Sequence, residues 1–93
     1  MGKFRVEITD IAKSQIAIHY KSSDKGTLTK LNKILLELTL HPYKGSVNPE
    51  KLKYKLTNFW SRRINSKDRI IYSVNEDLVV VDVISAMGHY HDK

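Results

Sequence analysis

Glu50, Arg69 and the pair His89–Tyr90 are the residues of this chain whose types and settings could do chemistry. Glu50 closes the loop PYKGSVNPE (42–50) and precedes a lysine-rich run. Arg69 opens the apolar segment RIIYSV after a short SKD turn. His89 and Tyr90 follow the last apolar run, where a strand end holds a side chain better than a free tail does. Each has a bland explanation when taken singly. A carboxylate among lysines is ordinarily a surface ion pair, worth about 0–1 kcal/mol. An arginine at a strand end is an exposed charge, and a terminal histidine is solvated. Other reaction types lack their residues. The chain has no cysteine, no Gly-rich phosphate loop, no G-x-S-x-G serine and no acidic cluster suited to Mg²⁺. His89 and His91 stand two apart with no third ligand at recognisable spacing, so neither a metal nor another cofactor is expected. His19 and His41 are the other two histidines. What remains is chemistry that needs one base, one acid and cationic charge. RNA cleavage meets that description, because the substrate brings its own nucleophile, the 2′-OH. The enzyme need only remove that proton, stabilise the crowded phosphorane and protonate the leaving 5′-oxygen.

The charge is placed to suit a polyanion. Of 16 basic and 10 acidic residues, the segment 51–72 holds seven basic (Lys51, Lys53, Lys55, Arg62, Arg63, Lys67 and Arg69) and one acidic, Asp68. That segment accounts for the whole net charge of +6. Charge concentrated this way suggests a polyanion partner, with Lys51, Lys53 and Lys55 of one alternating run as candidate contacts. A lysine-rich sheet face kept soluble by its charge is the competing reading, and charge alone leaves the two even.

The elements that must position these residues follow from hydrophobic period. KFRVEIT (3–9) alternates and reads as a half-buried strand. From Asp10, a plausible N-cap, Ile11, Gln15 and Ile18 share one face of a first helix. Leu28, Leu31, Ile34, Leu35 and Leu38 make the apolar stripe of a second helix, which should stop near His41–Pro42. Four strands follow: 51–56, with Lys51, Lys53 and Lys55 facing away from the core; 59–65; 69–74; and LVVVDVIS (78–85). The last is nearly continuous in β-branched residues and is predicted to be a central strand buried on both faces, returning beside the first strand. The expected fold is α+β, in the order β-α-α-β-β-β-β, with a helical hairpin on one face of an antiparallel meander. The 93 residues suit a single domain, 1–93. The longest apolar run, LVVV (78–81), is too short to cross a membrane, and the absence of cysteine suits the cytoplasm.

The blocks PEKLKYKL (49–56), NFWSRRINSKDRIIYSV (58–74) and GHY (88–90) resemble the YoeB/Txe group of bacterial toxins in the RelE superfamily. The match is specific over roughly residues 42–90; the first half agrees only in layout and length. The resemblance implies a ribonuclease of a toxin–antitoxin pair that cleaves mRNA in the ribosomal A site. It further implies a homodimer and inhibition by an antitoxin that wraps the toxin. Carried over by position, Glu50 matches the general base, His89 the general acid, Arg69 the arginine that stabilises the transition state and Tyr90 the tyrosine that ends the site. Lys53 and Arg63 match basic residues near the phosphate. Phe59 and Trp60 are assigned to packing. Two departures stand out. His91-Asp92-Lys93 follows the tyrosine where typical members end, which puts His91 within reach of the role of His89. Met87 and Gly88 replace bulkier or basic residues, so a looser tail is expected. Two other readings remain open: a non-catalytic basic nucleic-acid-binding module, and a gyrase-poisoning toxin of the same fold. The joint presence of Glu50, Arg69 and His89–Tyr90 favours the ribonuclease.

Overall fold

The computed structural model describes residues 3–22, 24–43, 50–51 and 59–88. The elements among them are β1 (Arg5–Ile8), α1 (Asp10–Ser22), α2 (Lys25–Leu40), β2 (Glu50–Lys51), β3 (Phe59–Arg63), β4 (Arg69–Asn75) and β5 (Val80–Ser85). The order is the β-α-α-β-β-β-β read from hydrophobic period. The strands form one sheet in the order β1-β5-β4-β3-β2. β5 lies parallel to β1, and the other pairs are antiparallel. The last strand thus returns beside the first. Residues 52–56 of the predicted lysine strand lie outside the described residues.

Both helices pack on one sheet face, and α2 does so by its leucine stripe. Leu31, Ile34 and Leu38 are fully buried, against Ile70 and Tyr72 of β4 and Val81 and Val83 of β5. Asp24 caps the helix, its Oδ1 accepting the Thr27 N–H at 2.8 Å. The helix ends as His41 N–H reaches back to the Glu37 carbonyl, ahead of Pro42.

α1 departs from the predicted face. Ile11 and Ile18 are 66% and 48% exposed, whereas Ala12 and His19 are buried and Ile16 packs against the core. The inward stripe is 12, 16 and 19, one residue round from the isoleucines. The cap explains part of this offset. It is Thr9, not Asp10: its Oγ1 accepts from Ala12 N–H and donates to the Ile84 carbonyl, both at 3.2 Å. That bond ties the helix start to β5 and turns Ala12 inward.

β5 is shorter and less enclosed than predicted. Asn75 Oδ1 accepts the Leu78 N–H at 3.0 Å, drawing Leu78 and Val79 into a turn. Val79 takes a positive φ of 55°, and Leu78 is 70% exposed. Val81 and Val83 are buried against the helices, while Asp82 and Ile84 on the other side are only half-buried.

Arg62 is the largest correction to the charge reading. Alternation along β3 sends Trp60, Arg62 and Ile64 toward the helices and Phe59, Ser61 and Arg63 to the opposite face. Arg62 is fully buried. Its Nη1 donates to Glu37 Oε1 at 3.0 Å, its Nη2 to the His41 carbonyl at 2.7 Å and its Nε to the Tyr72 hydroxyl at 3.3 Å. Tyr72 donates onward to the Pro42 carbonyl at 2.6 Å. One cation therefore ties the end of α2 to β3 and β4, and it adds nothing to the basic surface.

Candidate active site

Of the candidate residues, Arg63, Arg69 and the Glu50 position fall on the sheet face opposite the helices. The ladders align Glu50 of β2 with Ser61 of β3, Ser61 with Ile71 of β4, and Arg63 with Arg69. Paired residues share a face, so the Glu50 position, Ser61, Arg63 and Arg69 lie on the same side. Adjacent strands are about 4.8 Å apart, which separates the Glu50 backbone from β4 by roughly 10 Å. Arg69 is half-buried, and its Nη1 donates to the buried Ser61 Oγ at 3.1 Å. The guanidinium thus leans over β3, toward the strand that carries Glu50. Arg63 is exposed beside it.

Backbone bonds set the other side of the site. Arg69 N–H donates to the Gly88 carbonyl at 3.1 Å, and Gly88 N–H donates to Asp68 Oδ1 at 2.8 Å. Gly88 has φ +80°, a conformation that L side chains rarely adopt. The expectation of a looser tail is therefore corrected at this residue: glycine permits the turn that bonds the chain to Asp68 and Arg69. The next residue in the chain is His89. His89, Tyr90, His91, Lys53 and Lys55 lie outside the described residues.

Lys51 is placed differently from its predicted face. It pairs with Trp60, and its Nζ lies 6.0 Å from the centre of the indole. It thus shares the helix side of the sheet, away from Arg63 and Arg69. Trp60 has the packing role assigned to it, against the core and edge-on to Tyr43 with ring centres 5.3 Å apart. Burial pushes the Tyr43 phenol up to about 12, helped by its hydrogen bond to Glu76. His41 is exposed at the end of α2, whereas His19 is 1% exposed, with Nε2 2.8 Å from the Ala86 carbonyl.

Sequence reasoning gave Ser61 no part in the site, counted Asp68 only as the one acid of a basic segment and read Gly88 only as a loosening of the tail. Ser61 had a signal, since alternation puts it between Phe59 and Arg63 on the site face. Asp68 sits in a turn organised by Asn65, whose Oδ1 accepts from the N–H groups of Lys67 and Asp68 at 2.8 and 2.7 Å. An Asn-Ser-Lys-Asp run advertises that turn. It does not advertise a bond to residue 88.

This architecture is the RelE-type fold. RelE in a RelE–RelB complex from Pyrococcus horikoshii OT3 matches it with a TM-score of 0.72 at 19% identity, covering 92% of this chain and 94% of that one. Within that fold, the chain belongs to the YoeB-like toxins of bacterial type II toxin–antitoxin systems, whose family model matches residues 14–90. Toxin YoeB of Escherichia coli O6:H1 is 34% identical over 74 residues, which cover 80% of this chain and 83% of the relative. A YoeB/ParE toxin from Agrobacterium tumefaciens has a TM-score of 0.84 at 25% identity, covering 94% of this chain and all of the other. Staphylococcus aureus YoeB is similar both as a dimer (TM-score 0.79, 28% identity, 95% and 99% covered) and in a heterotetrameric YoeB–YefM complex (0.75, 28%, 94% and 98%). Among the described residues, no helix is long and apolar enough to cross a membrane.

Proposed function

We propose that this toxin is an mRNA endoribonuclease that acts in the ribosomal A site by general acid–base catalysis. Glu50 takes the proton of the 2′-OH, and that oxygen attacks the adjacent phosphorus. The Arg69 guanidinium neutralises the charge that builds on the phosphorane. His89 protonates the departing 5′-oxygen, and Tyr90 completes the site. The P–O5′ bond breaks, leaving a 2′,3′-cyclic phosphate and a 5′-hydroxyl. Arg63 and Lys53 hold the phosphate backbone, while Lys51 and Lys55 add long-range attraction. An arginine supplies the positive charge, so the step runs without a metal or another cofactor.

One observation carries this reading. Arg69 bonds on one side to Ser61, the ladder partner of Glu50, and on the other to Gly88, the residue before His89. A pure binding surface has no need of an arginine fixed between Ser61 and the backbone of Gly88. The partners follow from the same reading: mRNA, the ribosome, a second copy of the chain and a cognate antitoxin, all in the cytoplasm. The dimer and the YefM complex of the S. aureus relative support the last two. The test is cleavage of a reporter mRNA in a translation extract. The toxin should cut and Arg69→Ala should cut at least ~10²–10³-fold more slowly; an uncut reporter with the intact toxin refutes the reading.

A further inference from the structure

Three residues, Ala86, Met87 and Gly88, join the end of β5 to His89. The backbone groups of the outer two are all engaged. Ala86 N–H donates to Gln15 Oε1 at 2.7 Å, and the Ala86 carbonyl accepts from His19 Nε2 at 2.8 Å. Gly88 N–H donates to Asp68 Oδ1 at 2.8 Å, and the Gly88 carbonyl accepts from Arg69 N–H at 3.1 Å. Gln15 and His19 stand four apart on α1, so they lie one above the other on a single face. Between them they grip both polar groups of one residue. Ala86 is fully buried and His19 nearly so.

Two apolar side chains would dock α1 here at less desolvation cost. Polar side chains give something that apolar contact does not, because a hydrogen bond fixes direction as well as distance. Asp68 acts from the other side of the segment. Its own carbonyl accepts from Ile64 N–H at 2.9 Å, which anchors the turn that also starts β4 at Arg69. One turn thus sets both Arg69 and the chain leading to His89.

We propose that Gln15, His19 and Asp68 are positioning residues, a clamp on residues 86–88 that holds His89 in register with Arg69. This rests on the reading of His89 as the general acid. An acid must lie within hydrogen-bond reach of the leaving oxygen, and a displacement of about 1 Å can cost ~10²-fold in rate.

The test is single-turnover cleavage of mRNA on programmed ribosomes. Gln15→Leu and Asp68→Ala are compared with Gln15→Glu and Asp68→Asn, which keep the accepting oxygen. Each change is made in the native chain and in a His89→Gln background. Gln15→Leu and Asp68→Ala should slow cleavage ~10–100-fold without changing the ribosome concentration for half-saturation. The conservative variants should recover most of the rate. In the His89→Gln background the same changes should cost less than ~2-fold more, since the group they position is gone. A loss that multiplies with that of His89→Gln, or native rates in Gln15→Leu and Asp68→Ala, overturns the clamp and leaves the catalytic reading standing. A native rate in His89→Gln alone overturns both. Should Gln15→Leu not fold, Asp68→Ala, at a half-buried turn, carries the comparison.

Discussion

Arg62→Ala should destabilise this protein severely, while Arg63→Ala, one residue on, should leave stability almost unchanged. Arg62 supplies donors to Glu37, the His41 carbonyl and Tyr72, and its side chain is fully buried. Removing one partner of a buried ion pair costs about 3–5 kcal/mol. The Glu37 side chain is 18% exposed, so water can reach its carboxylate once the arginine is gone, which points to the lower end of that range. A chain of 93 residues has a total stability of roughly 5–14 kcal/mol, so a loss of ~3 kcal/mol is a large share of it. At about 4–8 °C per kcal/mol, Tm should fall by roughly 12–24 °C. Arg63 is exposed, and its loss should stay within about 0.5 kcal/mol. The assay is urea unfolding followed by fluorescence of Trp60, the single tryptophan, two residues from Arg62. The midpoint should drop with the slope unchanged. Replacing both partners, Arg62→Met with Glu37→Leu, should restore much of the loss, because no unpaired charge is left behind. An Arg62→Ala midpoint equal to that of Arg63→Ala, with weaker RNA binding, would return Arg62 to the surface and refute the reasoning.

Arg63→Ala should weaken ribosome or RNA binding and lower the slope of log affinity against log salt by about one, a loss absent from a salt titration if Arg63 touches no phosphate. Thr9→Ala should cost about 1 kcal/mol in a denaturant melt, since it removes the cap of α1 and the bond to Ile84. Alkaline pH should destabilise the fold through Tyr43. Its phenol is pushed up to about 12 from 10.0, so the unfolded chain loses its proton first. The contribution is intact below about pH 10 and is lost as pH climbs toward 12. Tyr43→Phe should flatten the melting temperature over that window, and an unchanged alkaline slope would count against the Tyr43–Glu76 bond.

Some residues announce their place in the sequence and others do not. The stripe Leu31, Ile34, Leu38 could face only inward, and α2 obeys it. In α1 the strongest hydrophobes, Ile11 and Ile18, lie outward because Thr9, Gln15 and His19 make directional bonds to Ile84 and Ala86. Those partners are more than 65 residues away, and no local period encodes them. Arg62 and Arg63 look alike in a charge count. Parity separates them, since Arg62 alternates with Trp60 and Ile64, but its carboxylate partner on α2 is a tertiary fact. At the site, Arg69 was legible as the arginine after a tight turn, and Glu50 as the residue that enters the edge strand. Gly88 read as a loosening of the tail, whereas its positive φ serves a turn bonded to Asp68 and Arg69.

In the proposed function RNA is cut by its own 2′-oxygen, with Glu50, Arg69 and His89 as the catalytic residues. The most direct measurement is cleavage of a ribosome-bound mRNA carrying a single 2′-deoxy nucleotide at the cut position, with the product ends identified. The all-ribose message should yield a 5′-hydroxyl and a 2′,3′-cyclic phosphate, and the deoxy message should remain whole at that position. Cleavage of the deoxy message at the native rate, or products bearing a 5′-phosphate, would show that the 2′-oxygen is not the nucleophile.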